Sequence, residues 1–92
     1  MTDTTYNGWT NYETWLANVW LGEADFTSEL ASQRNLTLDD VAQNIEGMIE
    51  LMTDEAREQA HGLGADLMQA AIDAINISEL ARAYFNDLET EA

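Results

Sequence analysis

The fold is decided by the stretch Tyr6-Asn7-Gly8-Trp9-Thr10-Asn11-Tyr12-Glu13-Thr14-Trp15-Leu16-Ala17-Asn18-Val19-Trp20-Leu21-Gly22, which holds all three tryptophans. Asn7-Gly8 predicts a tight turn, since both residues tolerate positive φ. Thr10 precedes Glu13 by three residues, as in a capping box, so a helix is expected to begin near Asn11. Apolar side chains then recur at i, i+3, i+4, i+7 and i+8: Tyr12, Trp15, Leu16, Val19 and Trp20. This spacing predicts the buried face of a core helix, and the alternative is an aromatic ligand-stacking site.

The next part of the chain predicts two further helices. Residues 23–34 are expected to form a short one. Thr37, with Asp40 three residues on, predicts the cap of a third helix that runs to about Met52. Gly47 inside that helix costs about 1 kcal/mol relative to alanine, and a close helix crossing would explain it.

The remaining segments carry their own start and stop signals. Thr53 is expected to cap a fourth helix, and Gly62-Leu63-Gly64 to bend the chain before a fifth, although the two helices could run together. Asn76, three residues before Glu79, predicts the cap of the last helix. The chain has no proline, and no β-branched run alternates with polar residues. We therefore expect a single all-α domain over residues 1–92, a compact bundle of five to six short helices.

Charge is the unusual property of the composition. Eighteen Asp and Glu residues face three arginines and no lysine, for a formal net charge of −15. Direct binding of nucleic acid or of an anionic membrane needs positive charge at the contact, so neither is expected. Three explanations stay open: solubility, adaptation to a salty cytoplasm, and a surface that binds a basic protein.

The expected location is the cytoplasm. There is no cysteine and no apolar run near the roughly 20 residues of a transmembrane helix. The opening residues Met1-Thr2-Asp3-Thr4-Thr5 show no basic region followed by an apolar one, so export is not expected. A reducing compartment suits a chain without cysteine.

The carboxylates of the third and fourth predicted helices are the candidate partner-binding residues. They are Asp39, Glu46, Glu50, Asp54, Glu55 and Glu58. Residues four and seven apart are separated by about 6 and 10.5 Å along a helix, and successive phosphates of one DNA strand by about 3.4 Å. A carboxylate at every turn or so can therefore imitate every second phosphate. An ordinary acidic solvent face gives the same spacing, so only the one-sided charge favours mimicry.

Catalytic and metal signals are weak. His61 is the one histidine, and no cysteine accompanies it. Glu58-x-x-His61 supplies only half of a di-iron motif, and Asp39-Asp40 lacks the ligand spacing of an EF-hand. A carboxylate pair acting as acid and base stays open, but nothing selects one pair. We expect no enzymatic activity, no cofactor and no metal site.

Both ends of the chain resemble a family of small uncharacterised phage and plasmid proteins. The resemblance lies in Asn7-Gly8-Trp9-Thr10-Asn11-Tyr12-Glu13-Thr14-Trp15 with Val19-Trp20-Leu21, and in residues 62–72 with Asn76 and Glu79-Leu80-Ala81. It covers about half of the chain and implies residence on a mobile element and action inside a prokaryotic host. The family brings no catalytic residues. Small acidic phage proteins are also similar, as a class, to anti-CRISPR and antirestriction inhibitors that mimic DNA.

These observations lead to two hypotheses. In the first, the protein is a phage-type inhibitor of a host nucleic-acid-binding defence complex, such as a CRISPR effector or a restriction enzyme, and its carboxylates occupy a basic DNA channel. In the second, it is a small structural or regulatory interaction module that binds a basic or apolar partner without displacing nucleic acid. An exposed Trp9 or Trp20 would favour the second hypothesis, since aromatic anchors dominate such interfaces. The oligomeric state and the partner's identity are not predicted.

Overall fold

The polypeptide forms five helices and no β-strand within the range that the structure describes. A computed structural model describes residues 6–33 and 35–91, excluding the side chains of 89–91. The helices are α1 (Tyr12–Glu23), α2 (Phe26–Ala31), α3 (Leu38–Gln59), α4 (Leu63–Ala74) and α5 (Ile77–Glu91). The prediction of an all-α fold is confirmed. The expectation drawn from Met1–Thr5 lies outside the described residues.

The start of α1 differs by one residue from the sequence prediction. Asn7 and Gly8 do form a tight turn at positive φ, closed by two backbone hydrogen bonds between Tyr6 and Trp9. Asn11 caps the helix, because its side-chain oxygen accepts from the backbone N–H of Thr14 at 2.9 Å. Thr10 is not the cap; its backbone N–H donates instead to Glu79 Oε1 at 3.0 Å. The predicted Thr10–Glu13 capping box is therefore wrong.

The buried side of α1 is not the aromatic side. Thr14, Ala17 and Leu21 are its buried residues, whereas Tyr12, Val19 and Trp20 are exposed. The predicted core face was wrong because α1 is apolar on nearly every side, so that spacing alone does not select the buried stripe.

Helix α3 is one continuous helix of 22 residues, about 33 Å long. Its capping box between Thr37 and Asp40 is confirmed. Thr53, predicted to cap a separate helix, lies inside α3 and donates its hydroxyl hydrogen to the Ile49 carbonyl at 2.8 Å. No described side chain would come within 4 Å of a methyl group at Gly47, so a close helix crossing does not explain this glycine. The chain bends at Gly62, where φ is 66°, and α4 then begins.

The core forms where α5 packs along α3, with α1 and α2 covering one end. Phe26 and Tyr84 meet there edge to face, with ring centroids 5.4 Å apart. Among residues whose side chains the structure describes, the buried apolar ones are Ala17, Leu21, Phe26, Leu30, Val41, Ile45, Ile49, Leu80, Ala81 and Tyr84. None of them comes from α4, so the buried core is built by the other four helices.

Hydrogen bonds of Asn11 and Thr14 join the first stretch of the chain to the junction between α4 and α5, and we call them the polar clamp. The Asn11 side-chain amide donates to the Ala74 carbonyl at 2.8 Å. The hydroxyl of Thr14 is fully buried; it donates to Asn11 Oδ1 at 2.6 Å and accepts from the Asn76 backbone N–H at 2.9 Å. Asn76 in turn caps α5, as predicted, through Glu79 N. The two parts of the chain that carry the family resemblance thus contact each other.

Candidate protein-binding site

Helix α3 carries all six predicted partner-binding carboxylates, and each of them is exposed. At about 100° per residue, five lie within roughly 120° of arc along one side of the helix: Asp39, Glu46, Glu50, Asp54 and Glu58. Glu55 points to a different side. Because α3 is continuous, the five carboxylates from Asp39 to Glu58 form one row about 28 Å long. We call these five residues the acidic row.

The acidic row has almost no cationic partner within the described part of the chain. The one ion pair found there joins Arg57 to Asp54 at 3.7 Å. The Arg57 guanidinium also donates to Thr53 Oγ1 and to the Glu50 carbonyl, at 3.1 and 2.9 Å, so its contacts all lie on its own helix. Most of the negative charge on α3 is therefore left to solvent or to a partner.

An open apolar groove of about 440 Å³ lies between α1, α3 and α4. Helix α1 contributes Leu16, Ala17 and Trp20 to it, together with the carboxylate-bearing Glu13. Ile49, Met52 and Thr53 of α3 form a second wall, and Met68, Ala71, Ile72 and Ile75 form the third. We call this cavity the apolar groove. Methionine and tryptophan side chains are common in surfaces that receive the apolar face of another helix.

A second cavity, of about 410 Å³, continues the apolar groove along α3 and α4. The two share Ile49, Thr53, Ile72 and Ile75. Its other lining residues are mostly polar: Glu46, Glu50, Arg57, Gln69, Asp73 and Ile77. Two members of the acidic row, Glu46 and Glu50, thus line a cleft rather than a plain solvent face. The site combines apolar surface with unpaired carboxylates.

Large apolar side chains of α1 and α4 are exposed, and one of them, Trp20, lines the groove. Trp20 is 58% exposed, and Leu63 and Leu67 on α4 are 74% and 62% exposed. The radius of gyration is 14.2 Å, against about 12 Å for a typical globular chain of this length, and the molecule is only 21 Å thick. Sequence reasoning missed the groove because it assigned Trp20 to the core. The composition carried no signal of it, because an apolar share of 46% is ordinary for a globular domain.

Other kinds of site have little support among the described residues. No group of three or more His, Cys, Asp or Glu side chains there is arranged to hold a metal ion. His61 is exposed and contacts the Gln59 carbonyl through Nδ1 at 3.0 Å. No helix in the described range combines the length and apolar character that crossing a bilayer requires.

The fold and charge define a small, strongly acidic, all-α protein with an exposed groove. Comparison with family models matches residues 2–90 to the family described as "Family of unknown function (DUF7249)", and the chain belongs to that family. A comparison with curated proteins finds no significant match, and a comparison with solved structures finds none either.

Proposed function

We propose that this protein binds a basic, nucleic-acid-binding host protein and occupies the surface that would otherwise hold nucleic acid. The observation that carries the proposal is the acidic row, a line of exposed carboxylates about 28 Å long on one continuous helix. That length corresponds to about eight phosphate steps of a DNA strand at about 3.4 Å each. Competition of this kind is electrostatic, fast and sensitive to salt.

The class of partner is proposed from the resemblance to phage and plasmid proteins. Such a protein would act in the host cytoplasm on a defence complex that handles DNA, a CRISPR effector or a restriction enzyme. The lysine and arginine side chains that line the DNA channels of such complexes bind phosphates, and they can pair with carboxylates in the same way. The proposal assigns the protein no catalysis and no cofactor.

The experiment is capture of host proteins on the immobilised chain, followed by elution across a salt series and displacement of labelled duplex from the captured protein. Glu46→Lys combined with Glu50→Lys should abolish displacement. The matched control is Glu23→Lys with Glu29→Lys, at exposed positions on α1 and α2. Both double variants change the formal charge from −15 to −11, since each substitution adds two charges. Equal displacement by the two variants would show that the acidic row is not the binding surface.

A second candidate is an interaction module that binds its partner without displacing nucleic acid. The exposed Trp20 at the apolar groove favours it, because buried aromatic anchors dominate protein interfaces. The same displacement assay separates the candidates: a module of this kind binds the captured protein and leaves the duplex in place.

A further inference from the structure

We infer that the apolar groove and the adjoining polar cavity together form a docking site for a basic amphipathic helix of the partner protein. This inference extends the proposed function. It depends on that proposal in one respect, namely that the partner is a basic protein. It adds a surface that the phosphate-mimicry argument does not require, the apolar groove lined by α1, α3 and α4.

The dimensions of the apolar groove fit a helix. Its α1 wall extends from Glu13 to Trp20, about 10.5 Å along the helix axis. That distance equals two helical turns, so the groove holds side chains spaced i, i+3 or i+4, and i+7 on an incoming helix. The walls are apolar, and Trp20 and Met52 remain exposed at the opening. Apolar anchors of a partner would cover this surface.

The polar cavity defines the charge of the same helix. Glu46 and Glu50 have no cationic partner among the described residues, and Asp73 accepts only from the neutral Gln69 side chain at 2.9 Å. Arg57, the cation of this cavity, is already bound to groups on α3. Lysine or arginine side chains beside the apolar anchors would pair with these carboxylates, whereas an acidic or neutral helix would not.

The net charge of the chain also argues against a second copy of this chain as the occupant of the docking site. Each copy carries a formal charge of −15 and only three arginines. Closing two such clefts on each other would bring carboxylates together without cations between them, and like charges at close range disfavour an interface. A basic partner removes that repulsion.

The helix α4 wall is also suited to adapt to an occupant. It contributes no fully buried residue, and at 12 residues it is too short to be stable as an isolated helix in water. Packing against α1 and the hydrogen bond from Asn11 to the Ala74 carbonyl hold it in position. An occupant that buries Met68 and Ala71 would add the contacts that α4 lacks.

The test uses the full chain and a tryptophan-free Leu/Lys peptide of about 18 residues, long enough to form an amphipathic helix. Calorimetry and protein tryptophan fluorescence report binding. The first control peptide replaces leucine by alanine and keeps the lysines; the second replaces lysine by glutamate. We expect the Leu/Lys peptide to bind at least tenfold more tightly than either control and to change the tryptophan emission. Equal affinity for the alanine peptide would overturn the inference, because charge alone would then explain binding.

Two adjacent positions on α4 supply a matched pair of protein variants. Ala71 lines the apolar groove, whereas Ala70 is exposed and lines neither cavity. Ala71→Glu should weaken binding of the Leu/Lys peptide at least tenfold, and Ala70→Glu less than threefold. Both add the same negative charge, which by itself favours a basic peptide. Met52→Glu, at an exposed position on the opposite wall, is a second groove variant should the first fold poorly.

Two further results separate the possible failures. If the native chain forms a dimer in sedimentation measurements and Ala71→Glu dissolves it, the occupant is a second copy and the inference is wrong. If the peptide binds as expected but the chain displaces no duplex from its captured partner, the docking site stands and the proposed competition with nucleic acid fails.

Discussion

Replacing Thr14 with valine tests the polar clamp that ties α1 to the junction of α4 and α5. Valine has nearly the shape of threonine, so the substitution leaves no cavity at this fully buried position. It removes the hydroxyl that accepts from the Asn76 N–H at 2.9 Å and donates to Asn11 Oδ1 at 2.6 Å. The Asn76 N–H then loses its acceptor inside the protein.

The expected cost follows from that unpaired donor. A buried polar group without a partner destabilises a protein by about 1–3 kcal/mol. For a domain of this size, each 1 kcal/mol lowers the melting temperature by roughly 4–8 °C. We therefore expect Thr14→Val to lower the free energy of unfolding by about 2 kcal/mol and the melting temperature by roughly 8–16 °C.

The assay is urea and thermal unfolding followed by circular dichroism, with hydrogen exchange of the Asn76 amide as a local readout. Thr27→Val is the control, because Thr27 is half-buried and no hydrogen bond of its hydroxyl is found in the described part of the chain. Its unfolding free energy should stay within about 0.5 kcal/mol of the native value. If Thr14→Val matches this control, and the Asn76 amide stays protected, the clamp does not stabilise the fold.

Three further expectations concern stability. Gly47→Ala should stabilise the protein by roughly 0.5–1 kcal/mol, because alanine favours a helix and no neighbouring group in the described part of the chain lies within 4 Å of the added methyl; a lower urea midpoint would contradict this. Burial, and then the charge of Asp87, raises the pKa of Tyr84, whose hydroxyl donates to Asn18 Oδ1 at 3.2 Å. The stability that Tyr84 confers should hold below about pH 10 and be lost as pH rises through its folded-state pKa. The difference in unfolding free energy between native protein and Tyr84→Phe should therefore shrink in alkaline urea titrations. A constant difference would refute this expectation. Raising NaCl from about 0.01 to 1 M shortens the Debye length from about 30 to 3 Å. Because the formal charge is −15, this screening should raise the melting temperature by several degrees. A melting temperature that does not change with salt would mean that self-repulsion is negligible.

The sequence predicted the helical architecture well where capping signals were unambiguous. The Thr37–Asp40 box and the Asn76 cap both stand where the residue pattern indicates. The predicted cap at Thr53 was wrong. A threonine followed by acidic residues is typical of a helix start, but its hydroxyl can also donate to a carbonyl one turn back within a helix, as it does here. Whether such a threonine begins a helix or lies inside one depends on tertiary packing, which the spacing of residues along the sequence does not reveal.

The candidate site was only partly predictable. The carboxylates of α3 were identified from the sequence, and their function stays a proposal. The apolar groove was not identified, because an apolar stripe on α4 and an exposed Trp20 have the same residue pattern as a buried core. Only the positions of α1, α3 and α4 decide which apolar surface is left open.

The affinity of the chain for its captured host protein, measured with and without saturating duplex, tests the central claim most directly. If carboxylates of the acidic row occupy the nucleic-acid surface, duplex at about 100 times its own dissociation constant should raise the chain's apparent Kd by about 100-fold, because the two ligands compete for one site. The Glu23→Lys, Glu29→Lys control should show the same shift. An apparent Kd that does not change with duplex present would contradict the claim.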